Sequence, residues 1–146
     1  MVDCDKKQFE SILVLLVGLP ASGKSSLAQN IKSLISNTKI VSLDECQLEV
    51  IKDEDLDSLA AWHRSKEYAL AEVKDMLIDQ VCKILIVDDT FEYSSMRKPY
   101  FQTARDVKPT SYIEVHLKCE VETAIANNKT RKNPMGVTEE NIRNIH

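Results

Sequence analysis

The 146-residue sequence predicts an α/β fold, with a mostly parallel sheet between two layers of helices. Three observations predict it. Apolar runs of strand length recur at residues 12–17, 39–43 and 83–87. The first and third are apolar at almost every position, as strands buried on both faces of a parallel sheet are. Segments with helical spacing of apolar residues stand between the runs, the alternation expected of βα units.

Taken in order, residues 1–11 read as a polar lead-in and 12–146 as one domain. Strand one is 12–17. Helix one runs over about 24–36, with Leu27, Ala28, Ile31, Leu34 and Ile35 at helical spacing. Strand two is 39–43, and it delivers Asp44 and Glu45 at its end. An acidic, solvated stretch follows at 53–58. Residues 58–81 read as helix, with a break near 63–65 allowed. Their expected buried set is Leu59, Trp62, Ala69, Val73, Met76, Leu77 and Val81, with Trp62 read as core rather than as a base-stacking platform. Strand three is 83–87, and Asp88-Asp89-Thr90 follows it. A loop leads to a helix over 96–106 with Ser94 or Ser95 as its cap. Pro109 breaks that helix. Strand four is 111–117, a short helix covers 121–128, and a basic turn occupies 129–134. Thr138 reads as the cap of a last helix. Four strands are thus readable. A fifth strand, usual in folds of this kind, is not found before residue 146, which suggests a domain truncated at its C-terminal end.

Between strand one and helix one stands Gly18-Leu19-Pro20-Ala21-Ser22-Gly23-Lys24-Ser25, which fits GxxxxGK[ST] at all four specified positions. Strand, glycine loop and helix form the setting in which the pattern has a mechanism. Backbone N–H groups of the turn and the helix N-terminus hold phosphate. Residues 18–25 with Ser26 are therefore the candidate nucleotide site. Lys24 reaches the β- and γ-phosphates, and the Ser25 hydroxyl ligates Mg2+. Pro20 lacks an N–H and stiffens the loop.

Two strand ends add carboxylates at the edge where open α/β sheets bind ligands. Asp44 is a candidate base for a hydroxyl acceptor, or a helix cap, and the two roles are compatible. Asp88, ending an apolar strand, is the candidate metal-side carboxylate. Asp89 orients the neighbouring loop or the acceptor. Arg97, near a helix start, either faces acceptor and phosphate or is solvated surface charge. Arg131 in the basic turn is the best placed to close over a transferring phosphoryl group. Together with Lys24, these make Asp44, Arg97 and Arg131 the candidate catalytic set.

Composition narrows the classes. With 43% hydrophobic and 29% charged residues, the chain is of ordinary globular make-up, and a net charge of −4 argues against a general nucleic-acid binder. Charge is uneven, acidic at 53–57 and basic in the last third. No apolar run is long enough for a membrane span or has the flanks of a signal peptide, so a cytoplasmic setting is expected. Cys4, Cys46, Cys82 and Cys119 form no CxxC pair, which disfavours a zinc site.

The glycine loop, Ser42-Leu43-Asp44-Glu45, the stretch from Asp88-Asp89-Thr90 to Ser95-Met96-Arg97, and residues 116–131 together resemble the L-seryl-tRNA(Sec) kinases, a family of P-loop kinases. The resemblance covers 12–146, the kinase portion of such proteins. It implies ATP and Mg2+ on residues 18–25 with Asp88. It also implies Asp44 as acceptor-side base, and Arg97 and Arg131 around the phosphates. The implied reaction phosphorylates the serine carried by seryl-tRNA(Sec), giving the O-phosphoseryl precursor of selenocysteine. Three departures stand out: Thr90 where the family has Asn, Asn127 where it often has a first lid arginine, and no tRNA-gripping C-terminal domain. The Elongator-associated P-loop ATPases, which also bind tRNA, share the loop. An accessory ATPase of that kind, a small-molecule kinase, and a truncated form that binds nucleotide without catalysis are the alternatives.

Overall fold

The computed structural model describes residues 10–54, 56–131 and 137–145. The lead-in before Glu10, Asp55 of the acidic stretch, residues 132–134 of the basic turn with 135–136 after it, and His146 lie outside them. The elements run β1 (Ser11–Val17), α1 (Lys24–Leu34), β2 (Thr38–Ser42), α2 (Leu43–Glu54), α3 (Ser58–Ile78), β3 (Ile84–Asp88), α4 (Ser94–Asp106), β4 (Thr110–His116), α5 (Val121–Thr130) and α6 (Glu139–Ile145). Among the described residues the sheet has four strands, ordered β2-β3-β1-β4, and all three pairings are parallel. The expected α/β class and parallel sheet are present.

Strand alternation divides the core. Val14, Leu16 and Ile86 face α1, meeting Ala28 with Leu27 and Ile31 beside it. Leu13, Leu15, Leu85 and Val87 face the opposite layer, where Ala69, Val73 and Leu77 of α3 and Tyr100 and Ala104 of α4 cover them. A third, smaller cluster joins Ala124 and Ile125 of α5 to Ile142 of α6, with Leu19 of the glycine loop against it.

Three local readings are corrected. Residues 43–54 form a helix, α2, where the sequence reading places the end of strand two at 43, a candidate cap at Asp44 and a solvated stretch from 53. Its buried positions Leu43, Gln47 and Val50 lie at helical spacing, but the polar Gln47 interrupts the apolar signal. In α3 the helix is unbroken, and its buried stripe is Ala61, Ser65, Ala69, Val73 and Leu77, a residue every four. Leu59 and Val81 are 67% and 46% exposed, and Trp62 is 36% exposed rather than core. The third correction is at α4, which begins at Ser94 with Tyr93 at the cap and no side-chain cap bond. Thr138 does cap α6, its Oγ1 accepting from the Asn141 N–H at 3.1 Å.

Register sets the site. Leu16 of β1, Asp88 of β3 and Ser42 of β2 lie side by side. The residues that follow each, the glycine loop, Asp89-Thr90 and Asp44, therefore leave the sheet at one level. The connection from β1 departs toward β2 and that from β3 toward β4, so the β1–β3 boundary is the switch point where such sheets hold ligands.

Candidate active site

The glycine loop needs its glycines in two places. A Cβ at Gly18 would lie 3.0 Å from the Leu117 carbonyl oxygen and from Ser22 Oγ, and Gly23 sits at φ +100° as the cap of α1. Ala21 also takes a left-handed turn, at φ 59°. The loop is tied to the neighbouring strand end, because the Gly18 N–H donates to the Thr90 carbonyl at 3.2 Å.

Lys24 is buried at the root of α1. Its ammonium donates to the carbonyls of Leu19 at 2.6 Å and Gly18 at 3.1 Å, which anchors the chain and leaves a third donor. Burial pulls its pKa below the ordinary 10.5, opposed by the nearby Asp88 and Asp89. Ser25 Oγ donates to Asp88 Oδ2 at 2.6 Å. Two hard oxygens brought together in this way suit Mg2+, which takes one or two protein oxygens and completes its shell with water and phosphate. The residues present therefore fit the ion the loop pattern implies.

Asp44 lies in the first turn of α2, one step beyond the strand end expected for it, and faces the same cleft. Arg131 Nη2 stands 3.9 Å from Asp44 Oδ2, so two residues far apart in sequence meet across the cleft mouth. Burial raises the Asp44 pKa above 3.8, and Arg131 opposes the rise. The cleft itself measures about 470 Å³ and is lined by loop residues, Asp44, Asp88, Asp89 and Arg131.

Arg97 is not brought to the cleft. Its Nη1 donates to the Phe91 carbonyl at 2.7 Å, and its Nε pairs with Glu114 at 3.3 Å. Phe91 is 2% exposed and sits at φ 49°, a strained position for a bulky residue, directly after the Asp88-Asp89-Thr90 run. Arg97 therefore positions that run from behind instead of reaching phosphate. Glu114 also accepts from Tyr112 OH at 2.7 Å. Partial burial would raise its pKa, but Tyr112, His116 and Arg97 hold it below 4.5.

Several contacts around the cleft were not legible in the sequence. Asn127, standing where a lid arginine was expected, donates from Nδ2 to the Ala21 carbonyl at 3.1 Å and fastens α5 to the glycine loop. Lys66 of α3 reaches Asp89 Oδ2 at 3.5 Å. Asp89 Oδ1 accepts from the Thr90 N–H at 2.7 Å, so Asp89 is a loop-shaping carboxylate with partners on both oxygens. Helical spacing in 58–81 carries Lys66 but gives no sign of Asp89 as its partner. Cys46 takes no part: burial, with Glu72 adding to it, pushes its thiol up to about 11, so it is protonated near neutrality.

A phosphate-type glycine loop, a lysine rooted beneath it and a hydroxyl–carboxylate pair at the β1–β3 boundary define a P-loop protein of kinase-like fold. Residues 12–146 match the family model described as chromatin associated protein KTI12, and the chain belongs to that family. Its fold is shared by a chain of the Pnkp1/Rnl/Hen1 RNA repair complex, at 18% identity and a TM-score of 0.73, over 99% of this chain and 45% of that one. A further structure of a Pnkp1/Rnl/Hen1 complex matches at 23% identity and 0.66, over 84% of this chain and 40% of the other. A protein from Chloroflexus aurantiacus, provisionally assigned as a kinase, matches at 13% identity and 0.75, over 95% and 76% of the two chains. At these identities the likeness is one of fold. The chain spans less than half the length of the RNA-repair chains it matches. Among the described residues no helix is long and apolar enough to cross a membrane.

Proposed function

We propose that the chain is an ATP- and Mg2+-dependent phosphotransferase acting on a hydroxyl group. The observation that carries this reading is the meeting of Lys24, the Ser25–Asp88 pair and the Asp44–Arg131 pair in one cleft. A nucleotide-binding site alone needs no carboxylate opposite the phosphates with a cation beside it. In the proposed step the acceptor oxygen bonds to the γ-phosphorus, and the bond from that phosphorus to the β-bridging oxygen breaks. The hydroxyl proton passes to Asp44, and ADP leaves. Lys24 and Arg131 balance charge on the phosphoryl group in transit. Mg2+, when bound by Ser25 and Asp88, supplies charge neutralisation at the phosphate oxygens.

For the acceptor, we propose the serine of seryl-tRNA(Sec). This rests on the resemblance of residues 88–97 and 116–131, and Arg97 keeps a place in it as a positioning residue. The family match favours a second reading, an accessory ATPase that works with tRNA but labels no acceptor. The likeness in fold to chains of an RNA repair complex suits an RNA partner in either case. Incubation with γ-labelled ATP and seryl-tRNA(Sec) separates them. Label on the seryl group supports the kinase. Phosphate release stimulated by bulk tRNA, with no acceptor labelled, supports the accessory ATPase and rejects the kinase.

A further inference from the structure

Trp62 is the sole tryptophan of the chain, and the structure puts it at the surface, 36% exposed, on the exposed side of α3. Its surroundings are unlike those of a stray apolar residue. The Lys66 ammonium lies 4.3 Å from the centre of its ring, and the His63 ring meets it edge-on at 4.9 Å. One turn on, the Arg64 guanidinium lies 4.8 Å from the centre of the Tyr68 ring, and Tyr68 is itself 42% exposed. Three rings and two cations therefore fall within Trp62-His63-Arg64-Ser65-Lys66-Glu67-Tyr68, and Glu67 is engaged by Arg64 at 3.0 Å.

The location gives this face a direction. The ammonium that stacks on Trp62 also pairs with Asp89 at 3.5 Å, and Asp89 lines the cleft. Trp62 thus stands one side chain away from the cleft wall. It belongs to the α2–α3 segment that joins β2 to β3, the same segment that carries Asp44. The glycine loop lies beyond β3, so the ring flanks the acceptor side rather than the nucleotide side. Every nucleobase offers a π-face, and an exposed indole beside fixed cations is the usual platform for single-stranded nucleic acid.

We propose that Trp62, oriented by Lys66, stacks on an unpaired base of an RNA single strand and so guides its end toward Asp44. The inference rests on the phosphotransferase reading for its direction, and it adds to the RNA acceptor proposed there a residue that holds one of its unpaired bases. The cation over the ring complements the phosphates flanking the stacked base.

The chain carries its own probe, since its tryptophan emission comes from Trp62 alone. Titration with a short single-stranded RNA ending in CCA should quench that emission saturably, and a duplex RNA of equal length should not. Anisotropy of the labelled strand should then give Trp62→Ala a Kd about tenfold weaker, the order lost with one base–aromatic stack, while Trp62→Phe keeps most of the affinity. Lys66→Met should weaken binding and make it less sensitive to salt. A non-hydrolysable ATP analogue should bind wild type and Trp62→Ala alike, which also establishes that the variant is folded. The proposal is overturned if the strand leaves Trp62 emission unchanged, if Trp62→Ala binds it as tightly as wild type, or if an unrelated peptide quenches as well as the RNA does. Failure of the analogue to bind wild type would instead reject the phosphotransferase reading and leave the stacking result standing by itself.

Discussion

Replacing Arg97 by Met distinguishes a clamp from a phosphate ligand. The side chain is largely buried, at 19% exposure, and its guanidinium serves the Phe91 carbonyl and Glu114 together. A hydrogen bond from a charged donor contributes about 1.5–3 kcal/mol, and losing it leaves the Phe91 carbonyl short of a partner. The strain at Phe91 works the other way, because a freed backbone relaxes from φ 49° and recovers part of the loss. A net cost of about 2 kcal/mol is the result, which for a domain of this size lowers Tm by roughly 6 °C. Thermal unfolding measures it, and calorimetric titration of a non-hydrolysable ATP analogue with Mg2+ supplies the contrast. Nucleotide affinity should change less than about threefold, since the guanidinium does not line the cleft. An unchanged Tm with Kd raised about tenfold or more would refute the clamp, for that is what removal of a direct phosphate contact gives.

Further outcomes follow from the electrostatics of Asp44 and Cys46. Burial raises the Asp44 pKa above 3.8, so the acid limb of kcat/KM should fall above that value. Asp44→Asn should abolish the limb and lower kcat by about 10²–10⁴. The stability linkage has the opposite sign to activity. A carboxylate whose pKa is raised by folding favours the folded state below 3.8 and loses that contribution as pH climbs through the raised value. Asp44→Asn should therefore melt no lower than wild type at pH 7, and a clear drop in Tm would show that Asp44 is structural. For Cys46, a shift from 9.0 to about 11 cuts the thiolate fraction at pH 8 roughly a hundredfold. Its alkylation, followed by peptide mass, should be slower than that of an unhindered thiol by that order, and fast labelling would contradict the burial argument.

The centre of the sheet was legible because β1 and β3 are short apolar runs that end at glycine or aspartate. Residues 12–17 and 83–87 each fall within one residue of β1 and β3. The loop of residues 18–25 was readable because the phosphate site is built from consecutive residues, and Asp88 because it ends an apolar strand. What stayed hidden depends on partners distant in sequence. Arg97 looked like a phosphate ligand until Glu114, on another element, took its charge. Asp44 and Arg131 were each suggested, but their pairing exists only once β2 and α5 reach the same edge. Small and polar residues misled the core reading. Ala61 and Ser65 bury a face of α3 without a strong apolar signal, and Gln47 does the same in α2. Trp62 was assigned inward on hydrophobicity, yet Lys66 covers one side of its ring and leaves the residue at the surface.

The proposed phosphotransfer requires that Lys24, Ser25 and Asp88 hold a magnesium-bound nucleoside triphosphate. Calorimetric titration of a non-hydrolysable ATP analogue, with and without Mg2+, tests it on wild type, Lys24→Ala and Asp88→Asn. Wild type should bind saturably and one-to-one, Lys24→Ala at least about tenfold more weakly, and Asp88→Asn with nearly complete loss of the Mg2+ enhancement. Equal affinity in wild type and Lys24→Ala, with both proteins folded, would contradict it.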